Sequence, residues 1–175
     1  MKERIISIIG MGEDWDKAPM LGESWGACNI LLRRNVSRII DMNDYSENRW
    51  GERETQDNKD VMDLCKAMDI PYIGLHNYPL KEVINALQTD FFTNTIDYMI
   101  ALAIYEHVHQ INFYGVNMST RSEYQFEQPG VNFWCGLAMG RGIKIKVVGD
   151  KSTIMRCPNR ELYGYYIPQE SLEAR

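Results

Sequence analysis

The stretch Asn94-Thr95-Ile96-Asp97-Tyr98-Met99-Ile100-Ala101-Leu102-Ala103-Ile104-Tyr105, followed after His109 by Ile111-Asn112-Phe113-Tyr114-Gly115-Val116, decides the fold. Ile96, Met99, Ile100, Ala103 and Ile104 recur at the spacing of one helix face, while Leu102 and Tyr105 cover other faces. This predicts a largely buried helix over 94–107 and a strand over 111–116. Upstream, Ile5-Ile6-Ser7-Ile8-Ile9 is a β-branched run stopped by Gly10-Met11-Gly12, as expected of a strand buried on both faces. Short strands are expected over 25–29, 38–42 and 72–76, helices over 55–68, 80–87 and 131–139, and a last strand over 143–148. In that last run Lys144 and Lys146 share one face, which suits a sheet edge better than its centre. Strands separated by helices need crossovers, so the fold class is α/β with a mostly parallel sheet. Ligands of such sheets sit beyond the carboxyl ends of the strands.

Composition bounds the function. The chain has 175 residues, 45% hydrophobic and 25% charged, as an ordinary packed globular protein does. It reads as a single domain over 1–175 with a short polar carboxyl-terminal tail. Lys and Arg number 19 against 24 Asp and Glu, a net charge of −5, and no basic run occurs, which disfavours broad nucleic-acid binding but not a small anionic ligand. Cys28, Cys65, Cys135 and Cys157 form no CxxC pair and lie beside no histidine at ligand spacing, so a structural zinc site is not expected. The run from Ile5 to Ile9 is too short for a signal peptide, and no stretch approaches the length of a membrane span. A cytoplasmic protein with reduced thiols and no membrane partner is expected; a homo-oligomer stays open.

Three loops fall at the carboxyl edge. Gly10 and Gly12 let the backbone approach a phosphate or ribose, yet GxGxxG is incomplete because Trp15 stands at the third glycine, so ligand contact and a plain tight turn both fit. Thr93, Asn94 and Thr95 are all N-cap types; one cap needs one of them, which leaves spare donors at the positive end of a helix dipole, or simply a polar loop. Residues 117–129 are long, polar and aromatic at once. There Arg121 would neutralise a phosphate and Tyr124 and Phe126 would cover a base or sugar, unless the segment is a surface excursion. Asp41 with Asp44, and Asp14 with Asp16, fit either a divalent metal or ordinary caps, the latter preferred, so no metal site is assigned. His107 and His109 end a helix, leaving His76, at a strand end, or a carboxylate such as Asp14, Asp41 or Glu123, as the candidate general base.

From Phe92 through Tyr105, continuing through Ile111-Asn112-Phe113-Tyr114-Gly115-Val116-Asn117-Met118, the chain resembles bacterial sialyltransferases of the Campylobacter type, in which a Thr-Ser-Gly loop opens an apolar helix and a strand ending Gly-Ile-Asp-Phe follows. The pattern is similar to that of 6-hydroxymethylpterin pyrophosphokinase-like and flagellin-modification proteins. The whole chain resembles a group of bacteriophage proteins of similar length, which share its Ile-Gly-Met-Gly start and Gly-Arg-Gly-Ile-Lys turn. The resemblance implies a Rossmann-like fold binding a nucleotide or nucleotide sugar, with no other cofactor implied. By position it carries over Gly10 and Gly12 as the first glycine loop, Asn29 at the second strand end, Thr93 to Thr95 as the nucleotide-contacting loop and Tyr124 near the phosphate. Two departures stand out: the first loop reads Gly-Met-Gly-Glu-Asp where those enzymes have Gly-Asn-Gly-Pro-Ser, and no histidine follows His109 to serve as their base. The expected function is a glycosyltransferase-like enzyme using a nucleotide sugar; the alternatives are a module that captures a nucleotide without turnover and a pyrophosphokinase.

Overall fold

Along β1 (Ile5–Ile9), Ile6 and Ile8 enter one apolar core and Ile9 enters another, and all three are fully buried. A strand covered on both faces belongs in the middle of a layered sheet. In the computed structural model, which describes residues 3–45, 52–118 and 124–169, β1 lies between β2 (Glu23–Ala27) and β5 (Gln110–Tyr114). With β3 (Arg38–Ile40), β4 (Tyr72–Ile73) and β6 (Lys144–Val148) these make one six-stranded sheet, ordered β4-β3-β2-β1-β5-β6 and parallel throughout. The helices are α1 (Glu52–Ala67), α2 (Leu80–Leu87), α3 (Thr95–Tyr105) and α4 (Tyr124–Gly140). Residues of α2, α3 and α4 join Ile6, Ile8 and Phe113 in one core, while Val61 and Cys65 of α1 join Ile9 and Ile39 in the other. The architecture is a Rossmann-like α/β fold.

Several elements differ from expectation for local reasons. β2 ends at Ala27 because Cys28 takes a left-handed φ of 49°, which breaks the ladder and starts a 3-10 turn, Cys28–Leu32. That turn lays Ile30 and Leu31 into the core beneath α1. β4 stops at Ile73, since the Gly74 N–H donates to Asn77 Oδ1 (2.7 Å) and the chain turns. Pro129 lies inside α4, although a proline in that position removes a backbone donor. Full burial of Val131, Trp134, Cys135 and Ala138 outweighs the loss. The two lysines of β6 do mark a sheet edge. All four cysteines are free thiols.

Ion pairs close the amino edge of the sheet. Arg4, just before β1, bridges Glu23 of β2 (2.6 Å) and Glu106 after α3 (2.7 Å), and Arg38 of β3 reaches Glu106 (2.6 Å) while lying 4.5 Å from the Trp25 ring centre. Glu106 caps the negative end of α3, and the two arginines remove that conflict with the helix dipole.

Gly26 is a packing constraint within β2: an added Cβ would run into the Ile30 Cγ2 methyl and lie 2.9 Å from Ile39 Cδ1. Ile30 is β-branched and fully buried, so it has little room to turn aside. Gly26→Ala is expected to destabilise the fold by ~1–3 kcal/mol through overpacking, measured as a lowered urea midpoint at unchanged m-value.

Candidate functional site

The strand order reverses at β1, whose successor β2 pairs on one side while the later β5 pairs on the other. Chains leaving two such strands diverge to opposite faces and open a crevice at the carboxyl edge. Here the loops after β1 and β5 first touch: the Gly10 N–H donates to Tyr114 O (2.9 Å) and the Gly12 N–H to Gly115 O (2.8 Å). A Cβ on Gly12 would stand 2.8 Å from Gly115 O and 2.9 Å from Asn117 Nδ2, and Gly115 itself has a φ of 62°. The absence of a Cβ at Gly12 therefore lets the two loops meet this closely. Above it lies a cavity of about 890 Å³, walled by the β1 and β5 exits, by Ala27 at the end of β2 and Cys28 after it, by Met42 and Asn43 after β3, and by the start of α3.

The α3 start is built around a buried acid. Asn94 is the N-cap, its Oδ1 accepting from the Asp97 N–H (3.2 Å). Asp97 Oδ2 accepts from both the Thr93 N–H (2.7 Å) and the Thr93 hydroxyl (2.8 Å), and Asp97 is wholly buried. Burial pushes its carboxyl up to about 6, against the opposing effect of the Thr93 hydrogen bonds. Asn94 Nδ2 donates to Thr93 Oγ1 (3.0 Å) and to Glu127 O of α4 (3.3 Å), and Thr95 Oγ1 accepts from the Met42 N–H (3.4 Å). The expected surplus of donors is thus largely spent inside the protein, tying α3 to α4 and to the β3 exit. Gly130 permits the approach of α4, because a Cβ there would strike Thr93 Oγ1 and Asp97 Oδ2.

The walls are mixed in character. Phe92 and Tyr98 line the cavity and stack on each other (4.1 Å, 7°), and Phe92 also stacks on Trp134 (4.9 Å, 21°). Burial and the nearby Asp41 carboxylate push the Cys28 thiol above its ordinary range. Glu13 and Lys151 form an ion pair at the mouth (2.7 Å).

Gly10, Gly12, Thr93, Asn94 and Thr95 all line this one cavity, so the glycine loop and the helix start share a crevice. Asn29 sits in the 3-10 turn behind Cys28 rather than in the cavity wall, with a buried Oδ1 that has no hydrogen-bond partner. Asp14 turns to Lys17 (2.6 Å) and lies outside the lining. Asp41 is 1% exposed and accepts from Asn43, Tyr45 and Asn58, which places its carboxylate in a closed network rather than in the cavity. His76 is exposed in the turn after β4 and is not a lining residue. Arg121 and Glu123 lie outside the described residues, as does the side chain of Tyr124, whose backbone opens α4. Phe126, on α4, is 73% exposed. Sequence reading missed Lys151, Phe92 and Tyr98 as wall residues, and of the 117–129 segment it singled out Arg121, Tyr124 and Phe126 rather than Asn117. Their one available signal was position after a strand or at a helix start.

No protein-family model matches the chain, and no curated protein matches it significantly. Among solved structures it is similar to the sialyltransferase CstII from Campylobacter jejuni in complex with cytidine-5'-monophosphate, at 12% identity and a TM-score of 0.41, covering 86% of this chain and 81% of that one. The same enzyme in complex with CMP-3FNeuAc aligns at 11% identity and a TM-score of 0.41, over 96% and 86% of the two chains.

Asp97 generates a pH dependence of stability. Its folded value of about 6 lies above the ordinary 3.8, so between those values the folded chain binds more proton than the unfolded chain, and stability rises as pH falls. From pH 7 to pH 5 the gain from this group is expected to be about 1 kcal/mol. Urea unfolding at both pH values should show that gain in the wild type relative to Asp97→Asn, which has no carboxyl proton to take up.

Proposed function

We propose that the crevice binds a nucleotide or nucleotide sugar, and that the protein acts as a glycosyltransferase-like enzyme upon it. The observation that carries this reading is the cavity itself: about 890 Å³ at the point where the strand order reverses, floored by a Cβ-free backbone contact and facing the amino end of α3. That volume falls within the ~300–1,000 Å³ of small-molecule sites. The first-turn N–H groups of this eleven-residue helix other than that of Asp97, which Asn94 caps, together with the helix dipole favour an anionic group such as a phosphate. Apolar side chains, Phe92 and Tyr98 among them, supply surface for a base or sugar. Pre-organised donors of this kind stabilise charge developing on a leaving phosphate.

Capture without turnover is the second reading, and the placement of His76 and Asp41 away from the cavity wall favours it. In the transferase reading, Glu13 and Glu127 are, among the described residues, the acidic ones that line the cavity and so the first places to look for a base. The pyrophosphokinase alternative draws on the Asp41 and Asp44 pair as metal ligands, a role at odds with the closed hydrogen-bond network of Asp41.

Thermal unfolding against cytidine, uridine, adenosine and guanosine 5'-monophosphates and the corresponding nucleotide sugars tests the reading. A ligand at 100 times its Kd adds ~2.7 kcal/mol, which for a chain of this length raises Tm by about 5–10 °C. At least one ligand is expected to do so, and no shift across the panel would overturn nucleotide binding. Release of free nucleotide from a stabilising nucleotide sugar then separates enzyme from capture module.

A further inference from the structure

The loop after β6 is fastened to the crevice on both sides. The Ser152 hydroxyl, 2% exposed with its residue, donates to Val116 O (2.8 Å), and the Thr153 N–H donates to Asn117 O (2.8 Å), both on the β5 exit. On the other flank Gly149, at a φ of 112°, packs its Cα against the Asp14 carboxylate, where a Cβ would collide with Oδ2. Lys151 lies between these anchors. Its backbone position is therefore set by the two strand exits that frame the cavity, while among the described residues its ammonium pairs with Glu13, with side chains 63% and 64% exposed.

Among the described residues Lys151 is the one lysine or arginine lining the cavity. An ion pair this exposed is screened and weak, so little is lost when it opens. A flexible stem ending in a compact charge is also suited to following a phosphate. Glu13 opposes an anion twice over, by its own charge and by occupying the cation.

We infer that Lys151 is a phosphate-recognising side chain of this crevice, paired with Glu13 in the absence of ligand and transferred to the phosphate of an incoming nucleotide. This rests on the nucleotide-binding reading above and adds a specificity to it: the exchange rewards a nucleotide over its nucleoside, and Glu13 sets how much. No covalent step is involved.

The test compares each nucleoside 5'-monophosphate with its own nucleoside by calorimetric titration of wild type, Lys151→Ala and Glu13→Gln. Both side chains are exposed, and near-native Tm values verify that the variants fold. Wild type is expected to prefer the monophosphate, with the preference falling as salt is raised. Lys151→Ala should weaken monophosphate binding roughly tenfold, as for loss of one charged hydrogen bond, with nucleoside binding unchanged. Glu13→Gln should strengthen the monophosphate alone by several-fold. Monophosphate affinity unchanged in both variants, or shifted equally with the nucleoside, would overturn the exchange while leaving nucleotide binding intact. No binding by any of the three proteins would remove both.

Discussion

The contact between the exits of β1 and β5 is the constraint on which the site depends. Two parallel strands that send their chains to opposite faces leave a gap, and its depth is set by how closely the departing backbones can cross. Here the Gly10 and Gly12 amides bond directly to carbonyls of Tyr114 and Gly115, so main chain meets main chain at the floor, with the Asn117 side chain beside Gly12. Any larger residue at Gly12 would press on Gly115 O and Asn117 and raise the floor toward the ligand space. The amino edge has the opposite character: Arg4, Arg38, Glu23, Glu106 and Trp25 interlock there. One end of the sheet is closed by charge pairing and the other is left open by geometry.

The helix that faces this opening is organised from behind. Asp97 is buried with its charge opposed by desolvation, and its Oδ1 has no hydrogen-bond partner, an arrangement that costs stability. What it secures is the position of Thr93, through which Asn94 and the Glu127 carbonyl are also tied. The same residues that were candidates for ligand contact thus act first as structure, holding three elements at one corner of the cavity. A site whose wall is already hydrogen-bonded presents a fixed surface, and adjustment to a ligand falls to exposed side chains such as Lys151 and Glu13.

Much of this was legible in the one-dimensional pattern. The apolar spacing of 94–107, the β-branched run at Ile5–Ile9 and the lysine alternation of 143–148 gave a buried helix, a central strand and an edge strand, because burial and exposure leave periodic marks. The rule that ligands meet parallel sheets at the carboxyl edge pointed to Gly10, Gly12 and Thr93 to Thr95, which do face one cavity. Boundaries were less legible. The strand expected over 25–29 turns at Cys28, and α4 runs through Pro129, in each case because burial of side chains farther along outweighs the local preference.

The sequence by itself determined the order of the main helices and strands, that the sheet is mostly parallel, and which edge carries the crevice, since these follow from local periodicity and the need for crossovers. Only the tertiary structure decided what each polar group faces. Asp41 and Lys151 both stand in loops beyond strands, yet the first is turned inward to Asn43, Tyr45 and Asn58 and the second opens onto the cavity. The partners that separate them, Asn58 on α1 and Glu13 after β1, are distant in the chain. Hydrogen bonds and ion pairs between such positions leave no periodic mark, so side-chain roles emerge only when packing brings the partners together.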